Sequence, residues 1–143
     1  MRMLLLLAMF LSASILFIMP IDTFAHGTAP YGGHMDEQMK KLHAMMPMLS
    51  IASAELETAL EKGNLADALV QANKIKAAAP DLKKSKPHKN VKQRKKFVEL
   101  ATSFDKAIAS TVDLIKKDEL SGAKASFKKV EELCAACHAK FRD

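Results

Sequence analysis

The stretch "LSIASAELETALEKGNLADALVQANKIKAAAP", residues 49–80, contains two helical patterns separated by a very short turn. On each side of the turn, apolar residues recur at steps of three and four, which is the period of an amphipathic helix. Gly63 is suited to end the first helix, and Asn64 is a good N-cap for the second. Pro80 is expected to close the second helix. A connection this short predicts that the two helices lie antiparallel.

Helical patterns occur in the rest of the chain as well. The first helical pattern starts at Met35, a third helix is predicted from about Asn90, and a fourth follows the break "KKDELSG", residues 116–122. No segment has the alternating pattern of a strand. We therefore predict an all-α fold, an antiparallel up-down-up-down four-helix bundle over residues 35–143. Pro47 interrupts the first pattern, so that helix is expected either to kink there or to begin there.

The N-terminus is typical of an exported protein. Arg2 precedes an apolar run over residues 3–19, and Thr23 and Ala25 occupy the small-residue positions before a cleavage point. This pattern predicts a cleaved signal peptide over residues 1–25, with an uncleaved anchor as the alternative. Residues 26–34, "HGTAPYGGH", have no periodicity and predict a flexible leader. We expect a periplasmic protein that is not an integral membrane protein once the signal is removed.

The net charge of +6 is concentrated in one region. The basic region Lys83–Lys96, "KKSKPHKNVKQRKK", holds eight lysine or arginine residues and no acidic residue. Such a run is commonly a solvated surface, and it also suits docking of an acidic partner protein or an anionic membrane face. Nucleic acid is not an expected partner, because the chain has an export pattern and no aromatic residues are interleaved in the basic region.

The C-terminal motif "CAACH", residues 134–138, contains the only two cysteines of the chain. On a helix, positions i, i+3 and i+4 share a face, so Cys134, Cys137 and His138 are expected to point the same way. A c-type haem needs this arrangement: two thiols that add to its vinyl groups, and an imidazole that binds the iron. The motif therefore predicts one covalently attached haem c.

Three other types of site fit the motif less well. A structural zinc site needs four ligands, and a reactive dithiol usually lies at a helix N-terminus beside a βαβ unit. A disulfide suits an exported protein, but helical i and i+3 positions are sterically poor for it. It would also leave the adjacent histidine unexplained. The haem interpretation uses all three residues.

The segment "CAACHAKFR", at the end of a helical chain of this size, resembles the class II c-type cytochromes, which include cytochrome c prime and its low-spin relatives. The resemblance covers Met35 to Asp143. It implies a haem between the helices, attached through Cys134 and Cys137, with His138 as the proximal iron ligand. Low-spin members place a methionine of the first helix on the other side of the iron, whereas cytochrome c prime leaves that position open and tends to bind gases.

The bundle geometry indicates which residues of the first helix lie level with the iron. The turns near Gly63 and Leu120 would lie at the same end of the bundle. Equal distances along the chain from these turns bring residues 44–48 level with His138. Within that window Met46 also belongs to the apolar pattern, so Met46 is the predicted sixth ligand.

Other residues remain candidates at this site. Met45 and Met48 are alternatives because Pro47 can rotate the local helical register, and His43 is another that would give a lower potential than methionine. Arg142 is a candidate contact for a haem propionate, although a cation at a helix C-terminus is favourable without any ligand.

These features predict a non-enzymatic carrier of single electrons between redox partner proteins. One alternative is a five-coordinate protein that binds NO or CO. Another is a periplasmic copper-binding protein that uses "HMDEQMKKLHAMMPM", residues 34–48, whose thioether and imidazole groups suit copper. The first helix also has a face that could support a homodimer, which its charge pattern does not decide.

Overall fold

The computed structural model describes residues 37–142, which form four α-helices and contain no strand. The helices are α1 (Glu37–Glu61), α2 (Leu65–Lys84), α3 (Arg94–Lys116) and α4 (Leu120–Phe141). The all-α prediction is confirmed, and the four helices are compatible with a four-helix bundle. The predicted signal peptide and leader, residues 1–34, lie outside the described residues. Within residues 37–142, no helix has the length and apolar character needed to cross a membrane.

The turn between α1 and α2 is built as its sequence predicts. Gly63 has a φ of +69°, in the left-handed region that glycine adopts at little cost. The Gly63 N–H donates to Leu60 O at 3.2 Å, and the Asn64 N–H donates to Ala59 O at 2.9 Å. These two bonds form a Schellman motif, which satisfies carbonyls at the end of α1. Asn64 then caps α2, because its side-chain oxygen accepts from the Asp67 N–H at 3.2 Å.

Pro47 and Pro80 lie inside helices. α1 starts at Glu37 and runs through Pro47, and α2 continues past Pro80 to Lys84. The prediction that Pro80 closes the second helix is therefore wrong. A proline within a helix removes a single backbone hydrogen bond. The Pro80 ring is exposed, and buried Leu82 keeps the last turn of α2 packed on the core.

The third helix starts later than its pattern predicts. Asn90 has a left-handed φ of +55°, and a short 3-10 helix, Val91–Gln93, precedes α3. The side-chain amide of Asn90 donates to Lys140 O at 2.7 Å. Asn90 thus connects to the end of α4 instead of beginning an α-helix.

The core is formed by apolar side chains from all four helices. α1 packs on α2, α2 on α3 and α3 on α4, whereas α1 and α4 approach each other much less. The largest fully buried apolar side chains on the helices are Leu56, Leu60, Ile75, Phe97, Ile108, Val112 and Val130. Their positions along each helix follow the apolar periodicity of the sequence.

The connection between α2 and α3 is attached to the end of α4. The Lys89 N–H donates to Phe141 O at 3.3 Å, and the Phe141 ring meets Phe97 of α3 edge to face, with centroids 5.3 Å apart. The Arg94 guanidinium donates to Lys83 O at 2.8 Å and to Ser85 O. The end of α2, the start of α3 and the end of α4 are thereby held together.

Candidate functional site

A cavity of about 770 Å³ lies among α1, the end of α2, the α2–α3 connection, α3 and α4. Most of its wall is apolar, and the side chains that form it include Leu42, Leu49, Leu82, Phe97, Phe104 and Phe141. Its volume falls in the range of about 300–1,000 Å³ that is usual for ligand and cofactor pockets. The cavity can therefore hold a ligand of cofactor size in largely apolar surroundings.

The three residues of the C-terminal motif lie together on this cavity. Cys134, Cys137 and His138 all line it, from the last turns of α4. The two thiols are half-buried and free, while His138 is at an exposed position. Because α4 is regular through the motif, its i, i+3 and i+4 positions share one face, as the spacing predicts.

The surroundings keep both thiols protonated at neutral pH. Burial, with smaller contributions from Cys137 and Glu131, raises the pKa of the Cys134 thiol from 9.0 to about 11. Burial also raises the pKa of Cys137. A reactive dithiol needs the opposite shift, because the thiolate is the nucleophile. The cavity wall therefore does not provide the environment of a thiol–disulfide catalyst.

His138 is disposed to remain neutral. Partial burial of its ring lowers the pKa of the imidazole, and the positive charge of Arg142 lowers it further. Arg142 also lines the cavity. A neutral imidazole is the form that binds a metal. The lowered pKa therefore favours the metal-binding form of the residue predicted to be the proximal ligand.

The candidates for the sixth ligand fall into two groups. His43 and half-buried Met46 line the cavity. Met45 is only 9% exposed, packs in the core and does not line the cavity. Met48 is 40% exposed and does not line it either. The geometry therefore leaves Met46 and His43 as the α1 candidates beside the motif.

His88 is a cavity residue that sequence reasoning missed. It lies in the α2–α3 connection, lines the cavity, and directs its Nε2 at the Nε2 of His43. The two rings have centroids 4.3 Å apart and are inclined at 44°. His88 lies within the basic region, whose sequence pattern indicates only a charged run. No local pattern connects it to a residue 45 positions earlier.

The basic region Lys83–Lys96 is only partly a free surface. Lys83 forms a salt bridge of 2.7 Å with Asp105, and Lys96 forms one of 3.5 Å with Glu99. Arg94 is engaged with backbone carbonyls at the end of α2. Several other lysines of the region have exposed positions: Lys84, Lys89, Lys92 and Lys95.

The donor set is better matched to a haem than to a zinc ion. Between residues 37 and 142, no group of three or more histidine, cysteine, aspartate or glutamate side chains is placed to hold a metal ion. A structural zinc site of four protein ligands is thus missing from this part of the chain. Two free thiols and a neutral imidazole beside an apolar cavity fit a flat, largely apolar cofactor with two attachment points.

All the features of the cavity described above belong to residues of this chain. The C-terminal motif, the apolar wall and the pair of His43 and His88 meet at one cavity, so its function can be inferred from the chemistry of its lining. The resemblance to class II c-type cytochromes stays a prediction. Neither the models of protein families nor the curated protein sequences contain a match to this chain.

Proposed function

We propose that the protein is a periplasmic monohaem c-type cytochrome that carries single electrons between redox partners. The observation that carries the proposal is the apolar cavity of about 770 Å³ lined by Cys134, Cys137 and His138. The two cysteines would attach the haem, and His138 would bind its iron. Haem, when bound, supplies a one-electron couple whose potential depends on axial ligand and burial.

The proposed architecture is an antiparallel up-down-up-down bundle with the haem site at one end. Leu120, at the start of α4, lies beside the α1–α2 turn, since a Cβ on Gly63 would be 3.7 Å from Leu120 Cδ2. The α2–α3 connection bonds to the other end of α4 through Lys89 and Phe141. Both contacts are expected if successive helices reverse direction. This topology would bring the first half of α1 alongside the C-terminal motif.

The chain contributes water exclusion, ligand positioning and charge. Apolar residues such as Phe97, Phe104 and Phe141 would keep water from most of the cofactor. Arg142, on the same cavity, offers a guanidinium that suits a carboxylate such as a haem propionate. No group on this wall needs to take part in substrate chemistry, so we propose a carrier and not an enzyme.

We further propose Met46 as the sixth ligand. Met46 is half-buried on α1 and lines the same cavity as the two thiols of α4. His43, the other candidate on α1, already directs its Nε2 at His88. A methionine ligand favours a higher potential than a second histidine. If Met46 did not bind the iron, an open position would give the gas-binding alternative.

The proposed partner is an acidic redox protein. The exposed lysines of the basic region lie at the end of α2, in the α2–α3 connection and at the start of α3. This connection is bonded to the end of α4, and its His88 lines the cavity. Positive charge near the site would attract an acidic surface and speed association, with an effect that weakens as salt increases. The export pattern of residues 1–25 supports a periplasmic location.

Visible spectroscopy of the protein made in a periplasm with haem-attachment machinery tests the proposal. We expect haem that stays attached after denaturation, and a low-spin spectrum with a methionine-to-iron band that carbon monoxide does not change. Cys134→Ser/Cys137→Ser should lose the covalent attachment. A high-spin spectrum shifted by carbon monoxide would favour gas binding. The absence of attached haem would overturn both functions.

A further inference from the structure

We propose that His43 and His88 form a second metal site, suited to Cu²⁺, at the edge of the cavity. The site joins α1 to the α2–α3 connection through two imidazoles whose Nε2 atoms face each other. It uses none of Cys134, Cys137 and His138, so it does not depend on haem attachment. It also differs from a copper site within residues 34–48, because one of its two donors, His88, lies outside that segment.

The geometry of the pair favours a shared ion. Two imidazoles that direct nitrogens at each other can share at most one proton between those atoms, whereas a metal ion accepts both lone pairs. Imidazole nitrogens bind such ions at about 2.0–2.1 Å, so the rings would separate slightly to admit one. The His43 position is exposed and that of His88 is half-buried, which leaves the side chains room for this rotation.

The chemistry of the pair indicates the class of ion. Imidazole suits copper, zinc and nickel, and Cu²⁺ is bound most tightly in the divalent first-row series. With two protein donors, the remaining positions would be filled by water. Lys89, beside His88 in the chain, is exposed, so solvent and salt screen its repulsion of a cation.

Binding of an ion would connect α1 to the α2–α3 connection through two histidines that lie 45 positions apart in the chain. An ion that binds the folded state and not the unfolded chain raises the midpoint of unfolding. Copper should therefore stabilise the protein, and this stabilisation should require both histidines. If copper bound to a single surface histidine, the stabilisation would not require both residues.

The test uses the full exported chain with Cys134→Ser/Cys137→Ser, so that neither thiols nor haem bind or reduce the added copper chloride. His43→Ala and His88→Ala are compared with His34→Ala, a histidine of the 34–48 segment. Affinity is measured by competition with a chromophoric chelator, and nitrogen coordination by electron paramagnetic resonance. Circular dichroism verifies that each variant is folded, and His88→Gln provides a second substitution.

We expect His43→Ala and His88→Ala each to lower the affinity by about tenfold or more, because even indirect contacts to a ligand change metal affinity by about that factor. The double variant should lose little more than either single one, and His34→Ala should retain the affinity and the two-nitrogen signal. Copper affinity unchanged by His88→Ala and His88→Gln would overturn the site. So would a stronger loss in His34→Ala, which would assign copper to the 34–48 segment.

Discussion

Two adjacent methionines of α1 have different surroundings, and they offer a matched pair for testing the proposed sixth ligand. Met45 is buried in the core, while Met46 lines the cavity. Met45→Ala should lower the free energy of unfolding by about 2–3 kcal/mol, because it leaves a void in packed surroundings. It should leave the haem spectrum unchanged. Met46→Ala should abolish the methionine-to-iron band and open the iron to carbon monoxide.

Urea denaturation and visible spectra, measured on both variants, check this expectation. The free energy of unfolding should fall mainly in Met45→Ala. The coordination of the iron should change only in Met46→Ala. Loss of the methionine-to-iron band in Met45→Ala, with Met46→Ala normal, would mean that the register of α1 near Pro47 changes when haem is present.

The haem-free protein should lose stability in alkali through Cys134. Burial raises the pKa of this thiol from 9.0 to about 11 in the folded protein. As the pH rises, the thiol loses its proton in the unfolded chain before it does so in the folded protein. The contribution of Cys134 to the free energy of unfolding is therefore intact below pH 9 and declines as the pH rises from about 9 to about 11. The urea midpoint should fall over this interval more steeply in the parent than in Cys134→Ser. Parallel pH profiles for the two proteins would contradict the raised pKa.

At the scale of the helices, α1 and α3 end in the same way with different residues. Asp118 has a left-handed φ of +59°, close to the +69° of Gly63. The Glu119 N–H donates to Leu114 O at 3.0 Å and the Asp118 N–H to Ile115 O at 3.1 Å, which repeats the bonding of the first turn. Thus a Schellman motif closes each helix, with glycine in one and aspartate in the other.

Opposite substitutions at these two ends should have opposite effects on stability. Gly63→Ala forces a Cβ into the left-handed region and should lower the free energy of unfolding by about 1 kcal/mol. Asp118→Gly relieves the same cost and should raise it by about 0.5 kcal/mol, part of the gain being offset by the flexibility of glycine in the unfolded chain. Thermal unfolding of the haem-free variants measures both. Destabilisation by Asp118→Gly would show that the aspartate carboxylate stabilises this turn.

At the scale of the whole molecule, the cavity separates α1 from α4. These two helices pack on each other much less than consecutive helices do. When the cavity holds no haem, opening of α1 should therefore cost less than opening of α2, which packs closely on two neighbouring helices. Amides of residues 37–50 should exchange with deuterium faster in the haem-free protein than in the haem-loaded protein. Those of residues 68–79, within α2, should change much less.

Hydrogen exchange followed by mass spectrometry checks this difference on the two forms of the same chain. A ligand that binds only the closed state protects the segments that must close around it. Equal protection of α1 and α2 on loading would indicate stabilisation of the whole bundle. No protection of α1 would contradict its place in the proposed haem site.

Features that depend on neighbouring residues can be read from the amino-acid sequence. Helical periodicity, the turn at Gly63 and the cap at Asn64 are local, because a helix bonds each residue to one four positions away. The common face of Cys134, Cys137 and His138 follows from the same spacing. This is why the all-α class and the α4 side of the site could be predicted from the chain alone.

Tertiary structure alone decided the features that depend on distant contacts. Met45 and Met46 are both apolar, and only packing against the other helices separates core from cavity. Pro80 remained in a helix because buried Leu82 holds the turn after it. His88 faces His43 only because bonds to the end of α4 fix the α2–α3 connection. Such contacts join residues far apart in sequence, so no local pattern records them.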